Sequence, residues 1–142
     1  MTAEHPDTPE ESLPELFWAV ARRLRHQSRR TLEPWEINPG HARALGVLTR
    51  HGAQRLSALA DHLHIAPRSA TEVVDGLEER GLVERRPDPA DRRATLVAPT
   101  DEGTRVGTAI RAARDAEAGR FFGHLSPTDR DHLTRLLRTL LD

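Results

Sequence analysis

The spacing of apolar residues changes from helical to extended near Gly81, and that change limits the fold more than any other feature of the chain. Before it, apolar side chains recur every three and four residues, the period of a helix with one buried face. Leu13, Leu16, Phe17, Val20 and Leu24 mark a first helix that should end near Thr31 and Leu32, ahead of Pro34. A short helix over 41–51 places Leu45 and Leu48 inside and stops at Gly52. Two more follow. One spans about 57–64, with Ser57 as its expected N-cap; the next starts at Ala66–Pro67, buries Ala70, Val73, Val74 and Leu77, and stops at Gly81. Two short helices joined by about four residues form a helix-turn-helix. Beyond Gly81, residues 82–86 read as a strand, 87–91 as a turn cluster and 94–98 as a second strand. Pro87 and Pro89 cannot donate to a ladder, so they are expected at the hairpin's open tip.

Helical spacing then returns. Thr100 caps a helix that runs to about Phe122, with Asp101 and Glu102 in its first turn and Val106, Ala109 and Ile110 on one side. Gly107, Ala112, Ala116 and Gly119 leave room for another helix to approach closely. Ser126, Pro127 and Asp129 open a last helix with a leucine stripe at 133, 136, 137, 140 and 141. The predicted class is mainly α with a small β-hairpin (α+β), a winged helix-turn-helix with N- and C-terminal dimerisation helices. Both ends are strongly amphipathic, and no later chain covers the last helix. Leu13, Leu16, Phe17, Val20, Leu133, Leu136, Leu137 and Leu140 are therefore expected to form a homodimer interface. The expected organisation is a disordered tail over 1–11 and a single domain over 12–142. Within it, 12–34 and 100–142 supply the dimerisation helices and 40–99 the winged lobe.

Composition excludes several chemistries. Cysteine is absent, which removes disulfides, thiolate ligands and cysteine nucleophiles. The histidine pairs 62/64 and 124/132 lack the i, i+4 spacing of helical metal ligands, so neither a metal nor a cofactor is expected. There is no nucleophile elbow and no glycine-rich phosphate loop, and no enzymatic activity is expected. No apolar run approaches the roughly 18 residues of a spanning helix, so the expectation is a cytoplasmic protein without a membrane partner. The 21 basic residues, all arginine, balance 22 acidic ones, and this total by itself argues weakly against nucleic acid. Placement matters more than the sum. In the second helix of a helix-turn-helix, the N-terminal side chains meet base edges. Here those are Pro67, Arg68, Ser69, Thr71 and Glu72, opposite the apolar face. Arg68 can grip guanine O6 and N7 or a phosphate. Arg92 and Arg93 sit at the wing, where arginine can enter a narrow minor groove. Arg85 and Arg86 on the first wing strand are expected to meet backbone phosphates.

The stretch IAPRSATEVVDGLEERGLVERRPDPADRRATLVAPTDEG, residues 65–103, resembles the multiple antibiotic resistance regulator (MarR) family of bacterial transcription factors. The most telling part is Asp91-x-Arg93 followed by Leu96, Thr100 and Gly103, and the resemblance covers roughly residues 13–141. It implies a homodimer that binds double-stranded DNA at pseudo-palindromic operators, most often as a repressor, released by a small-molecule effector or by oxidation. It favours Arg93 as the wing contact and gives Asp91 the role of bracing the wing through an arginine. It also implies an effector pocket between the DNA-binding lobe and the dimer helices, for which Phe17, Trp18, Trp35, His41, Arg43 and Arg111 are candidates. Glu72 and Gly76 depart from the family pattern, which often carries basic residues there, and His64 takes a turn position where glycine is common.

Overall fold

In the computed structural model, residues 11–142 are described; the expected tail over 1–11 lies almost wholly outside them. Helix α1 (Leu13–Leu32) starts under Ser12, whose hydroxyl accepts from the Glu15 N–H at 3.3 Å. A 3-10 turn (Glu33–Trp35) leads to α2 (Pro39–His51), capped by Asn38. Then come a two-residue strand β1 (Gln54–Arg55), α3 (Leu56–Leu63), α4 (Pro67–Glu79), β2 (Val83–Asp88) and β3 (Asp91–Pro99). Two long helices close the chain, α5 (Asp101–Phe122) and α6 (Pro127–Leu141). Thr100 and Ser126 cap them as expected, accepting from the Gly103 and Asp129 N–H groups.

Three details differ from expectation. The N-cap of α3 is Arg55, not Ser57, because β1 runs straight into the helix. That strand was not foreseen; it pairs antiparallel with β3 (Gln54 opposite Val97, Arg55 opposite Leu96) and makes the sheet three-stranded in the order β1-β3-β2. Pro87 is not at the hairpin tip but within β2, opposite Thr95, with a register shift immediately after it. β2 is an edge strand, where a residue without an N–H is tolerated. Pro89 does lie in the turn.

The core sits where the helix-turn-helix meets the sheet and α5. Leu45 and Leu48 of α2, Leu59 of α3, Val74 and Leu77 of α4, and Val83 and Val97 of the sheet are all but sealed from solvent, joined by Leu32, Val106 and Ile110. Truncating one of these leucines to alanine typically costs about 2–5 kcal/mol. The α3–α4 turn depends on His64, which adopts the left-handed conformation (φ 53°) and donates its N–H to the end of α3. Histidine tolerates that region better than most non-glycine residues. Gly107 admits α2 closely, since a Cβ there would lie 2.7 Å from Thr49 Cγ2, whereas Gly119 faces open space in the single chain.

The two ends are packed differently. Leu32, at the end of α1, is buried, but Leu13 remains 80% exposed, and Leu16, Phe17, Trp18 and Val20 are bare along with it. In α6 no residue is buried; Leu133 and Leu137 are half-covered and Leu140 is 76% exposed. No helix among the described residues is long and apolar enough to cross a membrane.

Candidate nucleic-acid interface

The two halves of α4 have different surroundings. Pro67, Arg68, Ser69 and Glu72, at its start, are exposed. Pro67 occupies the first turn, where a missing N–H costs nothing. Thr71 is half-buried and donates its hydroxyl proton to the Pro67 carbonyl at 3.1 Å, which leaves its oxygen only as an acceptor. The second half is tied to neighbouring elements. Arg85 of β2 reaches back to Asp75 (2.6 Å) and Glu78 (2.8 Å), and its backbone N–H donates to the other Glu78 oxygen. Burial opposes the Arg85 charge, but hydrogen bonds to Asp75 and Glu78 outweigh it and raise the guanidinium above its ordinary pKa. Arg85, expected to meet phosphate, is here paired with two carboxylates and ties the wing's base to α4. Its neighbour Arg86 makes only a loose 3.4 Å pair with Glu84 and stays exposed.

Arg80, just past the helix, donates to the Trp35 and Glu36 carbonyls at 2.6 and 2.9 Å, holding the end of α4 to the turn before α2. Gly76 also finds a reason. The His41 ring lies across it, so a Cβ at that position would fall 2.5 Å from His41 Cε1. Burial first, and the Arg80 charge second, lower the His41 pKa below its usual 6.5.

At the wing, Arg92 is exposed and the Arg93 side chain is 94% exposed. Asp91 braces Arg93 itself, accepting its backbone N–H at 3.1 Å with the guanidinium 3.6 Å away. Asp88, the charged residue found buried among the described residues, was missed by the sequence reading. One of its oxygens accepts the Ala90 N–H and the other accepts two nitrogens of Arg55, each at 2.9 Å. The Ala90 bond first, and the Arg55 bond next, lower the Asp88 pKa. An aspartate ahead of a proline in a turn is the available signal, since Asp commonly bonds the N–H two residues on.

The predicted effector residues do not converge. Arg43 and Arg111 share a cleft of about 510 Å³ between α2 and α5, with Arg50, Arg114, Val47 and Ile110. Phe17 and Trp18 lie apart from it on the open face of α1, edge to face at 5.9 Å. Trp35 packs against the core, and His41 is occupied by Gly76. Arg114 Nε is sealed from solvent without a hydrogen-bond partner, and burial lowers that side chain's pKa.

A family model described as MarR family matches residues 37–95. The HTH-type transcriptional regulator MhqR of Bacillus subtilis is 31% identical over 72% of this chain and 70% of its own length. The chain belongs to the MarR family. The HTH-type transcriptional repressor MdtR of Bacillus subtilis is a further relative, 26% identical over 76% of this chain and 70% of its own. Among solved structures, Bordetella bronchiseptica BpsR, described in terms of regulation of DNA binding by 6-hydroxynicotinic acid, superposes with a TM-score of 0.76. It is 25% identical, and the match covers 97% of this chain and 99% of that one. The MarR-type winged fold and the role of a DNA-binding transcriptional regulator follow.

Proposed function

We propose that this MarR-family chain works as a homodimeric repressor that grips a pseudo-palindromic operator and lets go when a small molecule binds. The carrying observation is the apolar surface left bare on α1 and α6 of the single chain, from Leu13 to Val20 and again at Leu136, Leu140 and Leu141. Exposed apolar faces on both terminal helices fit an interface, and a two-fold one places two recognition helices about 34–36 Å apart. In this reading, Pro67, Arg68, Ser69, Thr71 and Glu72 face base edges, with Glu72 accepting from a cytosine amino group. Arg93, assisted by Arg92 and Asp91, enters the minor groove, and Arg86 meets phosphate. The sense of regulation follows the relative MdtR, a repressor by name. Response to a ligand follows the likeness to BpsR and the arginine-lined cleft between α2 and α5, which couples the reading lobe to the dimer helices. A ligand acts there only by preferring a dimer geometry that misses the half-sites.

A footprint on duplex selected from a random pool by the protein tests this. Two protected half-sites one turn apart are expected, with Arg68→Ala and Arg93→Ala each weakening binding by about 1–3 kcal/mol. A monomer in sedimentation at micromolar concentration, or unchanged affinity in both variants, refutes it.

A further inference from the structure

The wing turn has a support that comes in part from outside its own hairpin. We propose that Arg55 and Asp88 are positioning residues for DNA reading: together they lock the turn that carries Arg93, so that the arginine is presented at a fixed offset from the recognition helix. The inference rests on the wing contact proposed above and adds the device that holds it.

The argument begins with what the β-ladder leaves undetermined. An isolated two-stranded hairpin is marginal in water. This one is weakened at its outer end, where Pro87 has no N–H to donate and the register shifts between Pro87 and Asp88. β1 pairs with β3 only as far as Gln54 and Arg55, opposite Val97 and Leu96, well short of the tip. The turn therefore needs another restraint, and Asp88 supplies it. Its carboxylate is buried, closes the turn through the Ala90 N–H, and receives the fork of Arg55 from 33 residues earlier. Such charge-assisted, two-nitrogen contacts fix direction as well as distance. Arg55 in turn is fixed by its backbone, which pairs in the sheet and caps α3. The chain of contacts thus runs from α3 through Arg55 to the outer end of β2, bypassing the register shift after Pro87.

Nothing comparable holds Arg93 directly. Its side chain is almost wholly exposed, and its contacts are to Asp91, two residues away in the same strand. Its place is the place of the turn. The clamp also lies off the apolar core, so losing it should loosen the turn while the fold stays intact. Arg55 reads as a surface cation in the sequence, but its charge is spent on Asp88.

The experiment uses the full chain and the selected duplex, with Asp88→Asn, Arg55→Gln, Arg93→Ala and the doubles Asp88→Asn/Arg93→Ala and Arg55→Gln/Arg93→Ala. Each clamp variant should weaken binding by roughly 5- to 150-fold, the range of a lost reading arginine, with far-UV dichroism unchanged. The doubles should be no weaker than Arg93→Ala alone, because the clamp acts through that residue. Arg55→Lys, which keeps the charge, should recover part of the loss. Multiplying effects in the doubles, or wild-type affinity in both clamp variants, overturns the proposal while the wing contact stands. A silent Arg93→Ala removes the wing contact and the clamp's role with it. In the Arg93→Ala background, Arg55→Gln should leave the slope of log K against log salt unchanged. A drop of about one would make Arg55 a phosphate contact and also overturn the proposal. If Asp88→Asn fails to fold, Arg55→Gln reads the same clamp from its half-exposed side.

Discussion

Gly103 is the position where a single methyl group should do most damage. It lies in the first turn of α5, at the junction between the wing and the long helix. A Cβ there would fall 1.8 Å from the Leu82 carbonyl oxygen and 2.8 Å from its carbon, both backbone atoms. Carbon and oxygen normally settle beyond about 3.3 Å, so helix and strand must part by roughly 1.5 Å. They are tied together at that point. The Thr100 N–H donates to Leu82 O at 3.1 Å, its hydroxyl donates to Gly81 O at 2.6 Å, and the same hydroxyl accepts from the Gly103 N–H. Overpacking costs about 1–3 kcal/mol even where side chains can yield, and a backbone contact belongs at the top of that range. Losing the Thr100 bond adds about 1 kcal/mol, while the better helix propensity of alanine returns about 1. Gly103→Ala should therefore destabilise by about 3 kcal/mol. Gly119→Ala, on the same helix with nothing within 4 Å, is the control and should stabilise by about 0.5–1 kcal/mol. Urea unfolding at one fixed protein concentration measures both, as a shift of midpoint at constant slope. A Gly103→Ala midpoint at or above that of Gly119→Ala would refute the steric reasoning. A Gly119→Ala chain that folds well but no longer dimerises would place that open face against the partner.

Two further outcomes are expected. Because the folded pKa of His41 lies below 6.5, the unfolded chain takes up that proton first as pH falls; stability should drop below about pH 6.5, and the decline should be shallower in His41→Gln when urea midpoints are compared between pH 7.5 and 5. A drop of equal size in both proteins would remove His41 as its source. Arg85→Ala should leave the salt slope of DNA binding unchanged, because Asp75 and Glu78 already occupy that guanidinium, at a stability cost of about 0.5–1 kcal/mol; a slope lowered by about one would return Arg85 to the phosphates.

Much of the fold was legible because it rests on periodicity and punctuation. Leu45, Leu48, Val74 and Leu77 follow helical spacing and are buried; Thr100 and Ser126 are good caps and act as caps. β1 was not legible, since a two-residue strand has no period, and its existence displaces the cap of α3 from Ser57 to Arg55. The candidate site was legible as a set of cations and illegible as a set of pairings. Arg55, Arg85 and Arg93 look alike in sequence. Only packing distinguishes the one held by Asp88 from the one held by Asp75 and Glu78, and both from the one that stands almost free. The effector candidates implied by the family resemblance separate for a related reason: Arg43 and Arg111, far apart in sequence, meet at one cleft between two helices, whereas Trp18 is exposed and Trp35 packs partly buried against the core.

The capture of Arg85 by the recognition helix has a consequence for how a scarce regulator finds one address in a chromosome. Affinity for random sequence is set by the cations free to displace counterions from the duplex, and this chain pairs some of its own with carboxylates. Such a protein is held briefly at the roughly million or more competing sites. It spends more of its time in solution, samples distant stretches by release and recapture, and leaves fewer copies stranded on irrelevant DNA. A small population can then keep one specific site filled.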